Sequence, residues 1–130
     1  MKRGLLILVH GSKSKEADEI TKELIRKLKH KLSDEFQEVA YGALQISSPS
    51  VEEGIDNLVE NEMEEIIVVP MFIFQGVHVK SDIPDVMENI KNKYPQINIK
   101  LGKHIGADDR LVEILYSRAI DTIACRPKLS

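Results

Sequence analysis

The chain has 130 residues, the length of one domain, and a domain of this size can bury a core without disulfides or a structural metal. Hydrophobic residues make up 42% and charged residues 30% of it, a globular balance that excludes an intrinsically disordered protein. The 18 basic and 21 acidic side chains give a net charge of −3, and there are three Phe, three Tyr and no Trp, so we expect no nucleic-acid partner.

The first half of the chain alternates predicted strands and helices. Residues 5–9 form a continuous apolar run, typical of a strand buried on both faces of a parallel sheet. Residues 39–46 predict a second strand, and Ser50 with Glu53 predicts a capping box that opens a second helix. The helix between these two strands is capped by Ser14, and its apolar positions recur at helical spacing: Ala17, Ile20, Leu24, Leu28 and Leu32.

The alternation continues through the second half. Residues 65–74 predict a third strand, with Pro70 near its end, where the loss of a hydrogen-bond donor is tolerated. Residues 75–80 predict a loop, and a third helix is expected to begin at Ser81. Residues 97–101 alternate between apolar and polar side chains, which indicates a strand at the edge of a sheet.

A fourth helix is predicted to begin at Asp108 or Asp109. Its apolar residues are expected to face inward: Leu111, Val112, Leu115 and Ala119. The chain therefore repeats a strand–helix unit four times. Such alternation predicts a single three-layer α/β/α domain with a four-stranded parallel sheet in the order 2-1-3-4.

Residues near the two ends of the chain indicate in which cellular compartment we expect the protein. The apolar residues 5–9 are too few to cross a membrane, and the residues that follow them make a poor signal-peptide cleavage site. The single cysteine, Cys125, cannot form an intramolecular disulfide or a cysteine-based zinc site. We therefore expect a cytoplasmic protein without a membrane partner, with residues 1–124 as the domain and residues 125–130 as a frayed tail.

Two histidines follow neighbouring predicted strands. Ligands of an open parallel sheet bind beyond the carboxyl ends of its strands, and His10 and His78 follow the first and third strands there. Two imidazoles suit a borderline divalent metal, and they are too few for a closed zinc site. Loop histidines that only pack or hydrogen-bond are the alternative at this point. We expect His30 to be solvated, while His104 has no clear assignment.

Apolar and basic residues occur at the same junctions. Gly11 and Gly76, next to the histidines, either allow tight turns or let a flat ligand approach the backbone. Lysines there could meet the carboxylates of a ligand, although a lone surface lysine is usually only solvated. The lysines concerned are Lys13, Lys15, Lys80 and Lys103.

Four segments of the chain, taken in order, match known signatures. Residues 4–12 resemble the opening of the class II tetrapyrrole chelatases, and residues 68–84 resemble their second signature. Residues 46–51 and 105–109 are similar to their second and fourth strand ends. His-Gly-Ser alone is a weak signal, but it is specific when Gly-x-His-x-x-x-Asp-Ile-Pro follows a Val-Val-Pro strand. The length is similar to that of the small archaeal, CbiX-type form.

The resemblance implies an enzyme, a sirohydrochlorin chelatase. It would insert a divalent metal, Co²⁺ or Ni²⁺, into sirohydrochlorin with release of two protons, in the biosynthesis of cobalamin or of the nickel tetrapyrrole of methanogens. The metal would be a substrate, with no permanently bound cofactor. The resemblance also implies a homodimer, because long members of the family contain two such halves in one chain.

The resemblance assigns roles to particular residues. It assigns metal binding and proton acceptance to His10, and metal binding to His78. Relatives often have acidic residues near the end of strand two, where this chain has neutral side chains, so an acidic helper is not expected there. The expected substrate-binding residues are Gln45, Ser48, Phe72, Ile73, Phe74, Gln75, Gly76 and Val77.

Other functions stay open at this point. His-Gly after a strand also occurs in the oxyanion loops of α/β-hydrolases, but the Gly-x-Ser-x-Gly motif of that fold does not occur in the sequence. A metal or tetrapyrrole carrier without catalytic activity would present similar ligands. Iron insertion for siroheme is a further alternative, because occupancy of an imidazole site follows metal availability as much as affinity.

Overall fold

The computed structural model describes residues 1–124, so the expected frayed tail and Cys125 lie outside the described residues. No helix within residues 1–124 is long and apolar enough to cross a membrane. Strands and helices alternate along the chain as predicted. They are β1 (Arg3–Val9), α1 (Lys15–Lys31), β2 (Glu38–Ala43), α2 (Val51–Glu60), β3 (Glu65–Pro70), α3 (Val77–Lys93), β4 (Asn98–Leu101) and α4 (Asp109–Ala124).

The four strands form one parallel sheet in the order β2-β1-β3-β4, which confirms the predicted topology. The core lies between one face of this sheet and helices α2 and α3. Leu6, Leu8, Ile66 and Val68 of the central strands are at most 1% exposed. Full burial stabilises such a side chain by about 1.5–3 kcal/mol, so this face accounts for much of the hydrophobic stabilisation.

The opposite face of the sheet is only partly covered. Burial alternates along β1, so Leu5, Ile7 and Val9 are half-buried, and the expectation of burial on both faces is wrong for this face. Helix α1 lies on it and buries Thr21 and Ile25. The apolar run identified a strand correctly, but it could not show how much of each face a helix would cover.

Helix α4 departs furthest from the sequence expectations. It begins at Asp109 as predicted, and the Asp108 carboxylate accepts a hydrogen bond from the backbone N–H of Arg110 at 2.9 Å. Its apolar side chains do not face inward, however, because no residue of Asp109–Ala124 is buried. Val112 is 62% and Leu115 is 70% exposed, Ala119 is exposed, and Leu111 is half-buried. The spacing of apolar residues predicts an apolar helix face without specifying the surface that covers it.

Two strands end earlier than predicted. β2 ends at Ala43 rather than at residue 46, and β3 ends at Pro70 rather than at residue 74. Ile46 has φ 69°, a left-handed conformation that a strand does not accommodate. Apolar residues continue past both strand ends, which explains why the sequence pattern predicted longer strands. Residues 44–49 and 71–76 consequently form loops at the carboxyl edge of the sheet.

Helix α3 begins at Val77, four residues before the predicted start at Ser81. Val79 is buried together with Ile83, so the buried stripe of the helix extends one turn further back than expected. Pro84 lies inside the helix. As a result, His78 lies in the first turn of α3 rather than in a loop.

Glu65 joins three strands at the edge of the sheet opposite the histidines. Its carboxylate accepts hydrogen bonds from Arg3 Nε on β1 and, at 2.7 Å, from Asn98 Nδ2 on β4. Lys100 Nζ lies 3.5 Å away, and the Glu65 side chain is only 7% exposed. The hydrogen bond from Arg3 is the main cause that holds the pKa of Glu65 below its ordinary value, against the opposing effect of burial.

We expect Glu65→Gln to remove a pH-dependent part of the stability. Because the pKa of Glu65 is lower in the folded chain, its contribution is present at neutral pH and is lost as pH falls through the folded-state pKa. The wild type should therefore lose stability more steeply than Glu65→Gln between about pH 5 and pH 3. Urea unfolding at several pH values measures this, with Glu88→Gln, at an exposed position, as the control. Parallel pH profiles for wild type and Glu65→Gln would contradict the prediction.

Candidate active site

His10 lies directly after β1, at the carboxyl edge of the sheet, and its side chain is exposed. Its Nδ1 lies 3.2 Å from the carbonyl oxygen of Gly11. A carbonyl can only accept a hydrogen bond, so Nδ1 carries the proton and Nε2 carries the lone pair. The side-chain amide of Gln45 donates to Nε2 at 3.4 Å. His10 therefore presents the atom with which a neutral imidazole binds a metal or accepts a proton.

Phe72 and the cavity beside His10 shape this position. The ring of Phe72 packs edge-to-face against the imidazole, with ring centroids 6.4 Å apart and an interplanar angle of 84°. Ser12, Tyr41 and Phe72 are among the residues that line a cavity of about 240 Å³ next to His10. Ligand pockets usually have volumes of about 300–1,000 Å³, so this cavity is small for a large organic ligand.

Gly11 fixes how closely the His10 loop approaches the Gln45 loop. Its φ is +102°, and a Cβ at this position would lie 1.7 Å from the carbonyl oxygen of Gln45. The pairing of β1 with β2 continues past the strand ends, because the N–H of Gln45 donates to the carbonyl of His10 at 3.2 Å. Only glycine can occupy position 11 in this arrangement.

A pair of serines ties the same two loops together. Ser47 Oγ accepts a hydrogen bond from the Ser12 N–H at 2.7 Å and donates to the Ser12 carbonyl at 2.6 Å. Ser12 Oγ in turn accepts from the N–H of Ser14, the N-cap of α1. The sequence placed Ser12 and Ser47 at strand ends, but it contained no signal for their mutual hydrogen bonds.

His78 is exposed in the first turn of α3, after β3, which pairs with β1. The structure thus confirms that the two histidines follow adjacent strands. Within residues 1–124, no hydrogen bond or ring contact joins His78 to His10, and no three His, Cys, Asp or Glu side chains form a metal-holding group. The structure brings His10, Gln45 and Phe72 into contact. It places His78 in the first turn of α3, after the neighbouring strand β3.

Exposed apolar residues cluster around these loops. We call this set the apolar rim, and its exposed fractions are large: Ile46 63%, Ile73 58%, Phe74 80% and Val77 85%. Sets of exposed apolar side chains at a single edge of a domain mark binding surfaces. Ile46 was not predicted as a site residue, and the only signal for it is an apolar residue within a polar run.

The other expected substrate-binding residues lie in the same two loops. Gln45 and Ser48 are exposed after β2, and Gln75 is half-buried after β3. No heavy atom lies within 4 Å of a Cβ added at Gly76, so packing does not require glycine there. The space beside Gly76 leaves room for a ligand close to the backbone.

The remaining two histidines lie apart from His10. His30 is exposed near the end of α1. His104 follows β4 and lines a different cavity, of about 740 Å³, together with Lys103 and Arg110. None of the residues that line this cavity also lines the cavity beside His10.

Comparisons with known proteins match nearly the whole chain. The CbiX family model matches residues 4–122. The sirohydrochlorin cobaltochelatase of Sulfolobus acidocaldarius is 38% identical, over 89% of this chain and 89% of its own length. That of Sulfurisphaera tokodaii is 35% identical, over 92% of this chain and 93% of its own. The sirohydrochlorin ferrochelatase of Priestia megaterium is 32% identical over 91% of this chain, which spans only 44% of that protein.

Solved structures agree with the fold. The sirohydrochlorin chelatase SirB from Bacillus subtilis subspecies spizizenii, in complex with cobalt, superposes with a TM-score of 0.86 at 30% identity. The match covers 93% of this chain and 51% of that one, so the chain spans about half its length. A cobalamin biosynthesis CbiX protein from Marinobacter aquaeolei VT8 superposes with a TM-score of 0.79 at 20% identity, over 94% of this chain and 98% of its own, and shares the fold.

Proposed function

The chain belongs to the CbiX family, and from this premise we propose that it is a sirohydrochlorin chelatase that inserts Co²⁺ into sirohydrochlorin for cobalamin biosynthesis. In this reaction the macrocycle releases two pyrrole protons and binds the metal on its nitrogens, so charge and atoms balance without a further reactant. The observation that carries the proposal is the exposed His10 Nε2, which lies at the edge of the sheet that bears the apolar rim. Cobaltochelatases match this chain over most of their own length.

His10 has two successive roles in the proposed reaction. Its Nε2 first binds Co²⁺ in place of water, because neutral imidazole is a good ligand for this ion. When the metal passes to the macrocycle, the same lone pair becomes free and accepts one of the two pyrrole protons, while the other proton passes to water. His78 acts as the second metal ligand, from the first turn of α3. Two protein ligands hold the ion weakly enough for the four nitrogens of the ring to take it.

The apolar rim and the loops around it form the proposed substrate surface. Ile73, Phe74 and Val77 offer exposed apolar area against one face of the tetrapyrrole. Sirohydrochlorin carries many carboxylates at its periphery, and the exposed Lys13 and Lys80 supply positive charge near the same edge. The substrate metal is the only metal in the proposed reaction, without a resident cofactor.

We propose that the active form is a homodimer in the cytoplasm. The cavity of about 240 Å³ beside His10 is too small to enclose a tetrapyrrole. A second copy related by a two-fold axis would provide the opposite wall. In support, this chain spans 44% of the ferrochelatase of Priestia megaterium and 46% of that of Bacillus subtilis.

Iron insertion is the second candidate function. The ferrochelatases of Priestia megaterium and Bacillus subtilis are 32% and 31% identical to this chain. SirB from Bacillus subtilis has also been solved with Fe³⁺. Ni²⁺ insertion, for the nickel tetrapyrrole of methanogens, stays a prediction from the sequence resemblance alone.

A parallel spectral assay tests the proposal. Purified protein is mixed with excess sirohydrochlorin and with Co²⁺, Ni²⁺ or Fe²⁺, and the absorbance change of the macrocycle is followed against a reaction without protein. A chelatase gives many turnovers per chain, and we expect the highest rate of insertion with Co²⁺. A carrier stops at one equivalent per chain, and this outcome would overturn the proposal.

We expect Gln45→Glu to tighten Co²⁺ binding by about tenfold. The Gln45 amide lies 3.4 Å from His10 Nε2, so a carboxylate in its place would face a metal ion bound by that atom. Calorimetric titration with Co²⁺ measures the dissociation constant. Gln96→Glu, exposed beyond the far end of α3, is the control because it adds the same charge at the opposite edge of the sheet. Equal dissociation constants for the two variants would contradict the prediction.

A further inference from the structure

The peptide unit between Gly11 and Ser12 connects the imidazole of His10 to a side chain on the next loop. Its carbonyl, from Gly11, lies 3.2 Å from His10 Nδ1 and accepts the ring proton. Its N–H, from Ser12, donates to Ser47 Oγ at 2.7 Å. The carbonyl and the N–H of a trans peptide lie in one plane and point in opposite directions. The orientation of this one plane therefore determines both hydrogen bonds.

Ser47 holds Ser12 by two hydrogen bonds. Besides accepting from the Ser12 N–H, its Oγ donates to the Ser12 carbonyl at 2.6 Å. One hydroxyl thereby satisfies both backbone groups of a residue, as a paired residue of an antiparallel sheet does. It extends the pairing of the two loops beyond the hydrogen bond that the Gln45 N–H donates to the His10 carbonyl. Ser47 thus fixes the backbone two residues after His10.

A tight turn at Ile46 places the Ser47 hydroxyl at this position. The Ser47 N–H donates to the Gln45 carbonyl at 2.7 Å, and Ile46 has φ 69°. A three-residue turn with a positive φ is rare and strained, and more so at a β-branched residue. Strained backbone persists only where the surrounding structure holds it, and it is concentrated at functional sites. The strain is a second, independent indication that the position of Ser47 serves the site.

Gly11 by itself does not keep the peptide in this orientation. Its φ is +102°, and a glycine backbone adopts positive and negative φ with similar ease. The peptide that follows a glycine therefore rotates at little energetic cost unless another group holds it. A rotation would turn the Gly11 carbonyl away from His10 Nδ1, and either ring nitrogen would then carry the proton. A proton on Nε2 blocks the atom that is needed for a metal.

We propose that Ser47 is a positioning residue for His10. It holds the Gly11–Ser12 peptide, keeps the Gly11 carbonyl on Nδ1 and so leaves the Nε2 lone pair free for a metal. Histidines that bind metals commonly donate their other ring N–H to an acceptor such as a carbonyl, and loss of such support weakens metal binding by about 10–100-fold. The inference rests on the proposed role of His10 as a metal ligand and adds the residue that fixes its tautomer.

Calorimetric titration with Co²⁺, without sirohydrochlorin, provides the first test. Ser47→Ala should weaken Co²⁺ binding by about tenfold. Ser47→Thr keeps the hydroxyl and should bind Co²⁺ as the wild type does. If Ser47→Ala has the dissociation constant of the wild type, or if Ser47→Thr binds as weakly as Ser47→Ala, the proposal is wrong.

Ser14→Ala is the matched control for destabilisation alone. It removes a hydroxyl from the same loop, one that caps α1 by accepting from the Ala17 N–H at 3.3 Å. It leaves the Gly11–Ser12 peptide and its contact with Ser47 in place, so the affinity for Co²⁺ should not change. An equal loss of affinity in Ser14→Ala and Ser47→Ala would show that Ser47 acts only through stability and would overturn the positioning role.

Nitrogen-15 NMR of the His10 ring in the metal-free protein provides the second test. At about pH 8.5 a histidine side chain is ordinarily neutral, and its two nitrogens give separate signals that report which one carries the proton. We expect the proton on Nδ1 in the wild type and in Ser47→Thr, and a mixture of the two tautomers in Ser47→Ala. An unchanged tautomer in Ser47→Ala would refute the proposal. A wild type with its proton on Nε2 would refute it as well, even if the variants do not fold.

The two tests separate this inference from the proposed function, because neither uses sirohydrochlorin. A protein that binds Co²⁺ without inserting it would contradict the chelatase activity alone. A wild type that does not bind Co²⁺ would contradict the metal site, and the NMR spectra would then decide whether Ser47 sets the tautomer of His10.

Discussion

Replacing His10 by alanine is expected to lower the rate of Co²⁺ insertion by about 10²–10³-fold while leaving the fold intact. The side chain is exposed and its ring contacts Phe72 only at an edge, so little packing is lost. The variant lacks both the atom that binds the metal and the lone pair that takes the proton. Initial rates from the spectral assay, with the uncatalysed background subtracted, measure the loss. A cooperative thermal transition shows that the variant is folded.

Two further histidine variants complete this test, one at the second proposed metal ligand and one as a control. His78→Ala should also remove most of the activity, because it removes the second proposed metal ligand. His30→Ala, exposed near the end of α1, should retain the wild-type rate. If His10→Ala and His78→Ala both insert Co²⁺ at near wild-type rates, the assignment of the metal site is wrong.

Gly11→Ala is expected to destabilise the protein and to abolish insertion as well. An L-residue at φ +102° costs about 1–3 kcal/mol in backbone strain. The added Cβ would also lie 1.7 Å from the carbonyl oxygen of Gln45, so the backbone of one loop must move. That movement would separate Nε2 of His10 from the Gln45 amide, which now lies 3.4 Å away. Urea unfolding gives the stability, and the spectral assay gives the rate.

Gly76→Ala is the matched control for stability. Its φ is −70°, and no heavy atom lies within 4 Å of an added Cβ, so we expect a loss below about 1 kcal/mol. A Gly11→Ala variant as stable as Gly76→Ala would show that the His10 and Gln45 loops do not approach as closely as described.

The loop after β2 shows which structural features a local sequence pattern can predict and which it cannot. Ser50 and Glu53 predicted a capping box, and both of its hydrogen bonds are present, at 2.9 and 3.1 Å. This prediction succeeded because a capping box depends on residues only three positions apart. In the same loop, the end of β2 was predicted three residues too late. The left-handed turn at Ile46 accompanies contacts with the His10 loop, 35 residues away, and no local pattern encodes such contacts.

The sequence by itself determined the strand–helix order, the parallel sheet, the family and the placement of His10 and His78 after adjacent strands. These features follow from local apolar periodicity, from the rules that relate chain order to sheet topology, and from short motifs. All three can be recognised in a single sequence. Only the tertiary structure decided that Nε2 of His10 faces the Gln45 amide, that position 11 must be glycine, and that no residue of helix α4 is buried within residues 1–124. Each of these depends on which distant surfaces meet. Periodicity shows that a helix has an apolar face, but it does not identify the surface that buries that face.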